Sequence, residues 1–88
     1  MQELDVVISN VVGLHARPAS ACVREAKTFA CKVFLEKDGK RVNAKSLVGV
    51  LTLGAVQGDT VRIIADGEDE EKAVESLSEL LKQEFDTV

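Results

Sequence analysis

Apolar residues along this chain switch repeatedly between a spacing of two and a spacing of three or four. Over residues 3–9, Leu4, Val6 and Ile8 fall on one side and Asp5, Val7 and Ser9 on the other, the pattern of a strand with one buried face. Alternation returns over 32–37, with Val33 and Leu35 inward. Asp38-Gly39 then supplies a two-residue turn that closes β-hairpins, so 40–43 comes back as a short strand. Val61, Ile63 and Ala65 form another strand, ended by Asp66-Gly67. Helical spacing fills the gaps. Ala19, Cys22, Val23 and Ala26, extending towards Phe29, predict a helix over 16–28, with Pro18 in the first turn, where a missing N–H costs nothing. A last helix starts near Asp69, with acidic residues 68–71 at its positive end and Ala73, Val74, Leu77, Leu80, Leu81 and Phe85 as its buried stripe. Residues 46–53 (SLVGVLTL) fit a strand or a short helix. Ser46 as N-cap and Gly54 as a stop favour the helix, with Leu47, Val50, Leu51 and Leu53 sharing one side.

The order is therefore β-α-β-β-α-β-α. Each helical stripe needs a cover, and the alternating strands offer one apolar face. An α+β fold, with a four-stranded antiparallel sheet and three helices on one side, meets both needs. The 88 residues fit one domain, 1–88. With three Phe and no Trp or Tyr, its core is built from Val, Leu, Ile and Ala.

Scarce aromatics argue against base stacking, and a net charge of −4 disfavours a phosphate-backbone partner, so nucleic acid is not an expected ligand. No apolar run reaches membrane-spanning length, and MQELDVVISN lacks a basic stretch followed by an apolar core. A cytoplasmic protein without membrane insertion is expected. Cys22 and Cys31 are too few for a disulfide framework and, with one His, for a metal site; two small buried or half-buried thiols fit a reducing compartment. Charge is uneven. Residues 13–45 hold eight basic and three acidic side chains, whereas 46–88 hold three basic and ten acidic. The basic stretch suits an anion or acidic partner, or simply solvated faces.

The chain's only histidine and only proline lie together in GLHARPA, residues 13–19. His15 stands at a helix start, where unpaired N–H groups and partial positive charge favour anions. The first free N–H groups there belong to Ala16 and Arg17, which would cradle a phosphate, and Arg17 can fork onto its oxygens. The helix end disfavours imidazolium, keeping a nucleophilic nitrogen at neutral pH. With no nearby general base, second histidine or nucleotide-binding loop, such a site would exchange phosphate only with partner enzymes. A capping or surface histidine satisfies the same pattern, and Arg17 alone suits a solvated arginine.

GLHARPAS followed by KSLVGVLTLGA resembles the HPr family, the phosphocarriers of the bacterial phosphoenolpyruvate–sugar phosphotransferase system. The likeness runs from the first strand to about Leu81 and includes the Asp38-Gly39 hairpin, the GDTV turn and the acidic start of the last helix. It implies an open-faced β-sandwich. It also implies that His15 is phosphorylated on Nδ1 by enzyme I and dephosphorylated by sugar-specific enzyme IIA domains, and that Arg17 assists at the phosphoryl group and contacts partners. Ser46 matches a regulatory serine modified by an HPr kinase/phosphorylase, with a transcription regulator as a further partner; an ordinary N-cap explains it equally. The implied docking surface joins Ala16, Arg17, Ser20, Arg24 and Lys27 to Leu47, Val48, Leu51 and Thr52, although Leu51 also suits the core. A monomeric carrier without a cofactor of its own is expected, with magnesium required by enzyme I. The rivals are a regulatory relative, of the nitrogen branch or of catabolite control, and a plain structural domain with an accidental motif. Regulator-only relatives lack the active-site histidine, which this chain keeps.

Overall fold

The computed structural model describes residues 1–9 and 16–82, and in them the expected element order holds: β1 (Gln2–Val7), α1 (Ala16–Ala26), β2 (Lys32–Lys37), β3 (Lys40–Asn43), α2 (Leu47–Leu53), β4 (Thr60–Asp66) and α3 (Glu70–Lys82). Residues 10–13, which the sequence reads as a turn after β1, lie outside the described residues, as do His15 and Phe85, and of Ala16 only the backbone is described. All strand pairs are antiparallel, in the order β1-β4-β2-β3. The last strand is thus inserted between the first and the second.

Alternation sorts the sheet into two faces. Val6, Val33, Leu35, Val61, Ile63 and Ala65 turn towards the helices and join one core with Ala19, Cys22 and Ala26 of α1, Val50 and Leu53 of α2, and Ala73, Leu77 and Leu81 of α3. Leu4 shares this side of β1 but remains 40% exposed. The outer face is polar and ordered by register. Asp5 pairs with Arg62, Arg62 with Glu36, and Glu36 with Arg41, so one row of alternating charge crosses all four strands. Arg62 donates to Asp5 at 3.0 Å and Arg41 to Glu36 at 3.1 Å. In the next row Ile64, between Glu3 and Phe34, is buried although it faces away from the helices.

Local chemistry sets the boundaries. The helix expected over 16–28 ends at Ala26. Beyond it the N–H groups of Thr28 and Phe29 donate to the carbonyls of Glu25 and Ala26, a tightened final turn. The 46–53 segment is helical as expected, but its apolar residues do not share one environment: Val50 and Leu53 are buried, whereas Leu47 and Leu51 are exposed. Seven residues give two turns, too few to bury four side chains set around them. In the β2–β3 hairpin Asp38 and Gly39 both have positive φ, 51° and 80°, which fits the right-handed twist of the strands.

One carboxylate joins distant parts of the chain. Asp69, just before α3, accepts hydrogen bonds from the N–H groups of Ala30 (2.9 Å) and Cys31 (3.0 Å), which lead into β2. Those donors hold its carboxyl below the usual range. Gly67 lies against the same corner; a Cβ there would fall 2.7 Å from the Cys31 Cβ.

Two outcomes follow for stability. Leu77 is fully buried, so Leu77→Ala is expected to cost about 2–5 kcal/mol in chemical denaturation, through lost burial and a residual cavity. Asp69 has a depressed folded pKa, so its contribution is present above the unfolded carboxylate range and is lost as pH falls below about 4. Acid titration of Asp69→Asn should therefore show lower stability at neutral pH and a shallower decline on acidification, part of the decline remaining because Asp59 and Glu70 are depressed too. An unchanged decline would show that the Asp69 link contributes nothing.

Candidate functional site

α1 begins at Ala16, so His15 immediately precedes a helix N-terminus. Pro18 and Ala19 are buried and anchor the first turn, while Arg17 is exposed. Further along α1, Ser20 is half-buried and Arg24 exposed, and Lys27 is exposed just past its end. The helix therefore turns Ala19, Cys22, Val23 and Ala26 to the core and leaves Arg17 and Arg24 outside.

α1 packs against α2, which brings the second motif beside the first. Ser46 is extended (φ −111°, ψ 117°), and its Oγ accepts from the Gly49 N–H at 3.2 Å, the expected N-cap. Gly54 closes the helix in the left-handed region, φ 69°. Leu47 (42%), Val48 (71%) and Leu51 (40%) stand exposed, and Thr52 beside them donates its hydroxyl to the Gly49 carbonyl at 2.9 Å. Leu51 is therefore not a core leucine. Three large apolar side chains on a seven-residue helix make a patch of the kind that partners cover. The described residues of the expected docking surface thus come from two helices in contact and the residue after the first, with an apolar centre on α2 and cations on α1 and at Lys27.

Sequence reading misses Lys37 and Lys40, whose ammonium groups reach the C-terminal end of α2. The signal was there in part: a two-residue hairpin sets these residues opposite each other. What they touch is decided by the packing of α2 on β3, which no local pattern encodes.

The cysteines offer no alternative chemistry. Burial, helped by the Glu25 charge, pushes the Cys22 thiol up to about 12. Burial, together with hydrogen bonding to Asp69, pushes Cys31 up to about 11. Both stay neutral, and neither forms a disulfide. Among the described residues no group of His, Cys, Asp and Glu is arranged to hold a metal ion, and no helix is long and apolar enough to cross a membrane.

Comparison with known proteins matches this architecture. Residues 2–83 fit the family described as "PTS HPr component phosphorylation site". The chain is 46% identical to the HPr-like protein Crh of Bacillus subtilis over 84 residues, 96% of this chain and 99% of Crh. It is 41% identical to the phosphocarrier protein HPr of Xylella fastidiosa over 85 residues, 97% of this chain and 96% of that protein. Among solved structures, an HPr from Thermoanaerobacter tengcongensis superposes with a TM-score of 0.90 at 46% identity, covering 92% of this chain and 91% of that one. A dimeric HPr from the same organism gives 0.73 at 46% identity, covering 92% and 93%. With the open four-stranded sheet, its three helices and a family match over nearly all its length, the chain belongs to the HPr family of phosphocarrier components of the phosphotransferase system.

Proposed function

We propose that this chain carries phosphoryl groups in the sugar branch of the phosphotransferase system, accepting them on His15 from phospho-enzyme I and passing them to sugar-specific enzyme IIA domains. The observation that carries this reading is the start of α1 at Ala16, which sets the only histidine directly before a helix N-terminus in a chain of this family. The Nδ1 lone pair of neutral His15 attacks phosphorus; the P–N bond of the donor histidine breaks as the new one forms, and water takes no part. The N–H groups of Ala16 and Arg17 and the Arg17 guanidinium meet the phosphoryl oxygens; Pro18 has no N–H to offer. Transfer to enzyme IIA repeats the exchange in the other direction.

Docking follows from the surface. Arg17, Arg24 and Lys27 fit acidic groups at a partner's rim, and Leu47, Val48 and Leu51 fit an apolar centre. The chain acts as a single unit in the cytoplasm without a cofactor of its own, the magnesium requirement belonging to enzyme I. One chain covers the helix-bearing face of its own sheet, which supports a monomer, although the T. tengcongensis HPr has also been solved as a dimer.

The likeness to Crh, a catabolite-repression HPr by name, favours a second reading. In it the chain is a regulatory phosphoprotein of catabolite control, acting through phospho-Ser46, an HPr kinase/phosphorylase and a transcription regulator. His15 favours the carrier. The two are compatible in one molecule, because a phosphate at Ser46 lies beside Leu47, Val48 and Leu51 and would repel acidic groups docking there.

Incubation with phosphoenolpyruvate, magnesium and enzyme I is expected to place acid-labile phosphate on the wild type and none on His15→Ala. No label on the wild type, with an enzyme I that phosphorylates its own cognate carrier, would overturn the carrier reading. Ser46→Asp is expected to lower kcat/KM for transfer from enzyme I by about tenfold at low salt, with the loss shrinking as ionic strength rises. Equal rates at low salt would remove the proposed repulsion.

A further inference from the structure

The α2 helix has seven residues, carries no acidic side chain in its first turn and no basic one in its last. Isolated helices of that length are not stable in water. Its N-terminal end is capped from within the segment, by Ser46. At its C-terminal end the Gly54 N–H reaches the Leu51 carbonyl, 3.3 Å away. The carbonyls of Thr52 and Gly54 are met from elsewhere: Lys40 Nζ donates to Thr52 at 2.8 Å, and Lys37 Nζ to Gly54 at 3.1 Å. Both cations come from the β2–β3 hairpin. Lys37 and Lys40 are its last paired residues, and two-residue periodicity puts them on the helix-bearing side with Leu35 and Val42. Lys37 is fixed in turn by Asp59, 3.0 Å away, whose carboxylate also accepts the Val56 N–H at 2.9 Å. The hairpin thus supplies the positive charge that the end of a helix dipole favours and that α2 lacks in its own sequence.

We infer that Lys37 and Lys40 are positioning residues for partner docking: they hold the C-terminal turn of α2, and with it Leu51 and Thr52, in the shape that a phosphoryl donor recognises. This rests on the carrier reading, because it gives that patch its partner. The lysines lie outside the docking surface and act through α2. If the helix end loosens, the fraction of molecules ready to dock falls and apparent affinity falls with it, while the chemistry at His15 is untouched.

The test compares wild type, Lys37→Met/Lys40→Met and Lys37→Arg/Lys40→Arg, using amide hydrogen exchange on the free protein and steady-state transfer from enzyme I. The methionine pair is expected to speed exchange of the α2 amides about tenfold, two helix-end interactions being lost, with little change in α3 and β4. KM for the carrier should rise about twofold or more with kcat unchanged, and the arginine pair should restore both. Unchanged α2 exchange overturns the inference. So does a raised KM without faster exchange, which would mean that the lysines touch the donor directly, and so does faster exchange at constant KM. A wild type that accepts no phosphate fails the carrier reading instead, and the exchange data then still report whether the lysines hold the helix.

Discussion

The pairing of β4 with both β1 and β2 is what the rest of the molecule depends on. It joins residues more than fifty positions apart in one case and about thirty in the other, so the sheet has no centre until the last strand arrives. Val61, Ile63 and Ala65 then form the middle of the surface on which the helices rest, and all three are fully buried. A slip of one residue would turn them outward. The opposite face resists that slip. Arg62 stands in register between Asp5 and Glu36, and Glu36 in turn faces Arg41. Each such surface pair contributes little, but a shifted strand would set residues of this row against the wrong neighbours. Burial drives the assembly and the charge row discriminates among registers.

α1 and α3 carry long apolar stripes and settle on the sheet chiefly by burial, with Ser76 of α3 donating its hydroxyl to Glu25 of α1. α2 is different. It is short, buries only Val50 and Leu53, and turns its other large apolar residues out. Such an arrangement is poor for an isolated fold and fits the docking role proposed for this element, since large apolar side chains stay at the surface. The cost is met at the ends of the helix, by Ser46 on one side and by the hairpin lysines on the other. Ser46 therefore serves the helix whether or not a kinase acts on it. A phosphate there would retain oxygen acceptors for the first N–H groups and place new charge next to Val48, so it can alter docking without unmaking the cap.

Element order, hairpin and sheet faces were legible because each rests on a local pattern: alternation in β1, β2 and β4, the stripe of α3, and the two positive-φ positions at Asp38 and Gly39. Ser46 was legible as a cap for the same reason. The exposure of Leu51 was suggested only by the family resemblance, which set it on a docking surface, since a short helix offers its sequence no way to say which side meets the sheet. Nor was the role of Asp69. Acidic residues before α3 suggest a favourable helix start, yet the partners of this carboxylate, the Ala30 and Cys31 N–H groups, lie nearly forty positions away. Lys37 and Lys40 are a middle case. The turn fixes them as a pair, and only the placement of α2 gives the pair something to hold. The docking residues proposed on and just after α1 rest on the family resemblance rather than on chemistry, because an exposed arginine or lysine on a helix carries no mark of its use.

Charge shows how far a whole-chain figure can mislead. The net value of −4 suggests an acidic protein, but the segment from residue 13 to 45 is strongly basic. The acidic excess has structural employment at the start of α3: Asp69 binds the corner before β2, and Glu70 accepts from the Gly67 N–H. Arg17, Arg24 and Lys27 stand exposed on α1 and just past its end. Segregation of this sort leaves a positive surface beside the apolar residues of α2 while keeping the molecule as a whole anionic. Within a Debye length an approaching acidic partner responds to the local field, and beyond it to little at all. Under the carrier reading the patch, and not the total, therefore steers the approach of an acidic donor.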